Sequence, residues 1–203
     1  MQIHIELPLN ADVLCMDGVC GKSLELVIDP EDRQVTHLVV KENFGEQLER
    51  LVPIGMISGT SVNKINLCIE KQDLKDLDVF CERDIVLKHH QAPVHDVKGS
   101  YYNFPVTRQV VVESKAIPGG KLSFDKDTFV EAVDGRMGKL EKMLVHPQSE
   151  GITHMVVRNS SVLGPRECNV PISAIDRFND NRIFLNLSKR EVRELQQKVK
   201  SLP

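Results

Sequence analysis

The chain has 203 residues, a formal net charge of −3, 41% hydrophobic residues and 27% charged residues. This composition is ordinary for a globular protein, and it excludes a wholly disordered chain and a strongly basic nucleic-acid binder. The five cysteines show no C-x-x-C spacing, so neither a disulfide framework nor a zinc site is expected.

No signal peptide and no membrane helix are expected. The first residues lack a basic segment followed by an apolar one. No stretch approaches the roughly 18 consecutive apolar residues that a bilayer-spanning helix needs. A cytoplasmic location without membrane contact therefore follows by default.

The chain contains one pattern twice. D-G-x-x-G-K at 17–22 recurs 117 residues later, at 134–139. V-T-H-L-V-V-K at 35–41 recurs as I-T-H-M-V-V-R at 152–158, and V-P-I at 52–54 recurs 118 residues later. Because the order and spacing persist over the whole pattern, the sequence predicts two copies of one fold.

Each copy is predicted to consist of short strands joined by tight turns. The D-G-x-x-G-K element predicts a hairpin turn in which glycine adopts positive φ. A single helical turn is predicted at 54–57 and at 172–175, after a proline that ends a strand. The remaining strands are predicted at 24–29, 35–41 and 64–69 in the first copy, and at 141–146, 152–158 and 182–187 in the second.

A helix is predicted to end each copy. The first, at 71–78, is short and weakly capped. In the second, Ser188 and Glu191 form a capping box. An apolar stripe at spacings of three and four then predicts a longer C-terminal helix, with members Val192, Leu195, Val199 and Leu202.

These motifs resemble the PRC-barrel family, which is named after the H subunit of photosynthetic reaction centres and also includes a domain of a ribosome-maturation factor. The resemblance implies a mainly β fold with two small PRC-type β-barrels in tandem, each followed by a short helix, the C-terminal one longer. We expect a first module at 1–78, an unduplicated connector at 79–127 and a second module with the C-terminal helix at 128–203.

The resemblance implies a non-catalytic binding or scaffold protein with an unidentified protein partner. No set of residues converges on catalysis, so neither an enzyme nor a cofactor is expected. An RNA- or ribosome-associated factor is the first alternative, because residues 130–203 carry twelve Lys/Arg against nine Asp/Glu, whereas residues 13–78 carry seven against twelve. A homodimer is also expected, since small barrels leave edges that need covering.

Two groups are candidate partner contacts. Tyr101, Tyr102 and Phe104 cluster in the connector, where they must dock on this chain's own barrels, on a partner or on a second copy. The basic face of the C-terminal helix supplies the second group, with Lys189, Arg190 and Arg193.

Histidines and aspartates of the repeat are expected to be structural. His37 and His154 occupy equivalent strand positions without a recurring second ligand, and Asp17 and Asp134 are expected to bond backbone N–H groups of their turn. The connector, with His89, His90 and His95, is expected to be mainly a solvated linker. Metal or small-ligand binding by these three histidines is the second alternative.

Overall fold

The computed structural model describes the backbone of residues 4–61, 63–95, 101–161, 164–179 and 181–200. Their side chains are described except at 82–106, 108–109, 111, 113, 160–166 and 197–200. The fold is mainly β, with two seven-stranded sheets, one two-stranded sheet and few helices among the described residues.

The first copy consists of seven strands and a short helix. In chain order these are β1 (Ile5–Pro8), β2 (Asp12–Cys15), β3 (Gly18–Asp29), β4 (Gln34–Glu42), β5 (Glu49–Pro53), β6 (Ile57–Ser61), β7 (Lys64–Leu67) and α1 (Lys71–Lys75). A 3₁₀ turn at Ile54–Met56 follows Pro53, which confirms the predicted helical turn.

Residues 81–116 form a compact unit of their own. It contains β8 (Cys81–His95) and β9 (Tyr101–Lys115), which pair antiparallel along their whole length. The prediction of a solvated linker around His89, His90 and His95 was therefore wrong. Pro93 and Pro105 lie within these strands, and a two-stranded ribbon tolerates proline because both of its strands are edges.

The second copy repeats the order of the first. Its elements are β10 (Leu122–Asp125), β11 (Phe129–Ala132), β12 (Gly135–Val145), β13 (Ile152–Ser161), β14 (Gly164–Pro171), β15 (Ile175–Asn179), β16 (Arg182–Leu185) and α2 (Lys189–Lys200). A 3₁₀ turn at Ile172–Ala174 matches that of the first copy. A turn precedes β10, in which the carbonyl of Pro118 accepts the N–H of Lys121 at 3.1 Å.

The two large sheets have the same strand order. The first runs β5-β4-β3-β2-β7-β6, and the second runs β14-β13-β12-β11-β16-β15. In both, the strand after the D-G turn is long and lies near the centre, while the pairing of β2 with β7 and of β11 with β16 is parallel. Both sheets are open in their backbone pairing, so the described residues show the predicted mainly β fold, with one strand order in both sheets, but not closure into a barrel.

The seventh strand of each sheet comes from the other copy. β1 pairs antiparallel with β12, where Leu7 lies opposite Met143, and β10 pairs with β3, where Phe124 lies opposite Leu26. β1 and β10 are equivalent by the 117-residue offset, so the exchange is reciprocal. From the sequence, β1 was assigned to the first copy and β10 to the connector. In the structure, β1 bonds a strand of the second copy and β10 bonds a strand of the first.

Residues 1–80 and 117–203 form one compact unit with a shared core, to which the exchanged strands contribute. Leu7 and Phe124 are fully buried in it. A backbone bridge between Gln34 and Gly151 also joins the β3–β4 loop to the β12–β13 loop. Neither described helix is long and apolar enough to cross a membrane.

Candidate interaction surfaces

The repeated aspartate ties each hairpin turn to the helix that ends its copy. A carboxylate oxygen of Asp17 accepts the backbone N–H of Lys71 at 3.1 Å, and Asp134 accepts that of Lys189 at 2.9 Å. These residues begin α1 and α2, where backbone N–H groups lack intrahelical acceptors. The sequence predicted bonds to backbone N–H groups of the turn itself, whereas the N–H groups that these carboxylates accept lie more than 50 residues away, at the start of a helix.

The glycines of the repeated motif are required by the backbone. Gly18 and Gly135 have φ of 121° and 106°, values that residues with a Cβ atom rarely adopt. A Cβ at Gly21 would lie 2.1 Å from the carbonyl oxygen of Lys41, and one at Gly138 would lie 2.4 Å from that of Arg158. The second glycine of each motif therefore allows two neighbouring strands to approach closely.

The two equivalent histidines pack among polar groups of the strands. Thr36 Oγ1 donates to the carbonyl of Val27 at 3.2 Å, so His37 Nδ1 is the donor in its 3.0 Å bond to the same hydroxyl. Burial lowers the pKa of His37, and the charge of Lys121 lowers it further, against an opposing effect of Asp78. His37 is thus a partly buried, locally bonded residue.

In the second copy His154 meets another histidine. The ring of His4 lies edge-on to that of His154 with centroids 6.0 Å apart. Burial lowers the pKa of His154, and His4 lowers it further. His4 is equivalent to Lys121 by the 117-residue offset, so each exchanged strand brings one basic residue beside the histidine of the other copy.

The predicted contact residues fall into two groups. Tyr101, Tyr102 and Phe104 lie on β9, opposite His95, Val94 and Ala92, and their side chains lie outside the described residues. The side chains of His89, His90 and His95 also lie outside the described part of the chain. Among the side chains that the structure does describe, no three His, Cys, Asp or Glu residues could hold a metal ion.

The basic residues of α2 differ in availability. Lys189 is half-buried and its ammonium donates to the carbonyl of Asp134 at 3.4 Å, so it supports the turn. The side chain of Arg190 is 88% exposed and bonds Glu194 at 2.9 Å. Arg193 is exposed. The structure therefore leaves Arg190 and Arg193 as the described cations that this helix presents to solvent.

The outer edge of β5 is covered by the chain itself. The N–H of Leu51 donates to the carbonyl of Asp78 at 2.9 Å, and the N–H of Phe80 donates to that of Glu49 at 2.7 Å. Phe80 is fully buried. Residues 78–80 thus act as a short added strand, which we call the covering segment.

A buried ion pair holds the covering segment in place. Arg50 pairs with Glu42 at 2.9 Å, and their side chains are 12% and 1% exposed. The same guanidinium donates to the carbonyl of Leu77 at 2.8 Å, directly before the covering segment.

The equivalent edge of β14 lacks this arrangement. The residues equivalent to Arg50 and Glu42 are Cys168 and Asn159, which cannot form the ion pair. The residues equivalent to 78–80 belong to α2, which continues as a helix. Outside the pairing of β13 with β14, no described backbone group bonds the N–H of Asn169 or the carbonyl of Glu167, which correspond to the two groups that the covering segment uses on β5. This difference was not predicted, although its signal is present in the sequence as Glu42 and Arg50 in the first copy against Asn159 and Cys168 in the second.

The tips of the β2–β3 and β11–β12 hairpins expose apolar side chains. Met16 is 71% exposed and its equivalent Val133 is 73% exposed. Isolated apolar residues are common on protein surfaces, so the tips alone do not define a site.

Comparison of the sequence with models of protein families gave no match. Comparison with curated proteins also gave no match.

Proposed function

We propose that this chain is a non-catalytic binding or scaffold protein built from two PRC-barrel modules. The D-G-x-x-G-K turns, the threonine–histidine strands and the Val-Pro-Ile elements support membership of that family. The shared strand order of the two large sheets and the architectural use of the repeated Asp and Gly residues support a scaffold. Because the duplicated residues maintain the fold, we expect the function to depend on residues that differ between the copies.

The observation that carries the proposal is the outer edge of β14. An unpaired strand edge presents N–H and C=O groups that an extended peptide can bond. The register of β14 supports an outward direction for the N–H of Asn169. Val156 lies opposite Asn169 in the second copy, as Val39 lies opposite Leu51 in the first. Leu51 directs its N–H outward to the covering segment, so Asn169 directs its N–H outward as well.

We propose an extended segment of a partner protein as the occupant. On β5 the covering segment supplies one backbone acceptor, one backbone donor and the buried ring of Phe80. A partner on β14 would supply the same backbone groups and a large apolar anchor. Because α2 packs against β14 and exposes Arg190 and Arg193, acidic residues are expected to flank that anchor.

Two substitutions at one position test the proposal. Asn169→Pro removes the outward N–H and keeps the bonds to β13, whereas Asn169→Ala removes the side chain and keeps the N–H. Tagged full-length chains would be recovered from the cells in which the protein is native, and bound proteins quantified. We expect a partner that is retained by Asn169→Ala and lost with Asn169→Pro. Equal recovery with both variants would contradict edge pairing.

An RNA- or ribosome-associated role remains the second candidate, and the exposure of Arg190 and Arg193 favours it. Replacing both by Gln should abolish co-sedimentation with ribosomal particles at low salt, where phosphate contacts are strongest. Absence of co-sedimentation by the unmodified chain at low salt would reject this candidate.

A further inference from the structure

Two thiols of the first copy meet beneath the β2–β3 hairpin. Cys15 lies on β2 and Cys20 on β3, both are buried, and both are free thiols. Both side chains lie on the buried side of the hairpin, and each thiol is among the groups that shift the pKa of the other. Cys20 Sγ is also 3.3 Å from the carbonyl oxygen of Val13. The two sulfur atoms are therefore neighbours within one short hairpin.

A register shift explains why Cys20 can face Cys15 within the hairpin. Leu14 lies opposite Val19, and Val13 lies opposite Gly21, so the pairing passes over Cys20. A residue at such a bulge has no direct cross-strand partner. Its side chain is thus left to face β2, which Cys15 ends.

The second copy shows that the fold does not require these thiols. The equivalent positions hold Ala132 and Met137, both buried, in a hairpin with the same register shift. A small residue and one flexible apolar side chain fill the same place there. The cysteine pair is a property of the first copy alone.

We propose that Cys15 and Cys20 form a reversible disulfide by exchange with a low-molecular-weight disulfide. One cysteine sulfur attacks the small disulfide and forms a mixed disulfide, which releases one small thiol. The second cysteine sulfur then attacks the mixed disulfide and releases another small thiol. The cysteine pair loses two electrons to the small disulfide, and the two cysteine protons leave on the released thiols.

The surroundings of the pair set its reactivity. Burial raises the pKa of both thiols, which slows attack, while the nearby ammonium of Lys71 opposes that effect. The thiols are buried, whereas Met16 and Val19 at the hairpin tip between them are exposed, so we expect a small reagent to reach the thiols when the tip opens. We expect thiol–disulfide exchange here to be slower than at an exposed thiol. Its product is expected to be a disulfide within the chain, between Cys15 and Cys20.

Peptide mapping of the full-length protein tests the proposal. Trypsin leaves both cysteines in residues 1–22, because the first lysine is Lys22 and no arginine precedes it. After incubation with glutathione disulfide and blocking with N-ethylmaleimide, this peptide should be lighter than the reduced peptide by two hydrogen atoms and should carry no blocking group. Reductant should restore two sites for blocking.

Matched variants use the residues of the second copy. Cys15→Ala and Cys20→Met should each fold, as circular dichroism can verify, and each should abolish the internal linkage. Cys68→Ser, at an exposed cysteine, should leave it unchanged. The proposal is overturned if residues 1–22 of the folded protein keep two blockable thiols under glutathione disulfide, or end as stable mixed disulfides at Cys15 or Cys20.

Discussion

The backbone N–H of Val35 donates to the carbonyl of Glu150 at 3.1 Å, and the equivalent N–H of Ile152 donates to the carbonyl of Arg33 at 2.9 Å. Arg33 and Glu150 both have positive φ, at 54° and 56°. The two copies therefore meet through reciprocal bonds between equivalent loops. Together with the exchange of β1 and β10, this contact joins the two copies in one compact unit.

The exchanged strands should stabilise the copy to which they are bonded. Leu7→Ala is expected to reduce the free energy of unfolding by about 2–5 kcal/mol, because it leaves a cavity at a fully buried position. Hydrogen exchange should rise in β12, the strand that β1 pairs with, as well as in β1. Val133→Ala, at an exposed position, is the control and should change stability by less than about 0.5 kcal/mol. Protection of β12 that is unchanged in Leu7→Ala would contradict the exchange.

The second glycine of each motif should tolerate no side chain. Gly21→Ala and Gly138→Ala would place Cβ against a backbone carbonyl, so each should lower the free energy of unfolding by about 1–3 kcal/mol or more. Gly59→Ala is the matched control, because no atom lies within 4 Å of its added Cβ. Urea denaturation measures all three. Equal stability of Gly21→Ala and Gly59→Ala would show that β3 and β4 are further apart than the structure places them.

Stability should fall in acid because of the two partly buried histidines, His37 and His154. The pKa values of His37 and His154 lie below the ordinary 6.5, so the unfolded chain binds more protons than the folded one as the pH falls. Their contribution is present above about pH 6.5 and is lost as the pH drops through the folded pKa values. Urea midpoints should decrease from about pH 7 to about pH 5, and less so in a His37→Asn/His154→Asn double variant. The same pH dependence in both proteins would exclude these histidines as its cause.

The sequence predicted the local structure because its signals are local. Gly18 and Gly135 mark the hairpin turns, Pro53 and Pro171 precede the 3₁₀ turns, and Ser188 with Glu191 caps α2, as the 2.8 Å bond from Ser188 N–H to the Glu191 carboxylate confirms.

The exchange of strands was not predictable from such signals. β1 and β10 are short, equivalent and apolar, so each has the pattern to pair with either β3 or β12. Chain connectivity and the shared core decide between these partners. The difference between the edges of β5 and β14 likewise depends on tertiary contacts. Arg50 holds the covering segment of the first copy through its contacts with Glu42 and Leu77, and these contacts form only in the folded protein.

Amide hydrogen exchange at Leu51 and Asn169, measured residue by residue in the free protein by NMR, tests the account most directly. The N–H of Leu51 is bonded to Asp78, whereas that of Asn169 faces the outer edge of β14. We predict that Leu51 is protected, that Asn169 exchanges rapidly, and that Val52 and Val170 are both protected by the neighbouring strand. Equal protection of Leu51 and Asn169 would show that the edge of β14 is already covered, and would contradict its role as a binding edge.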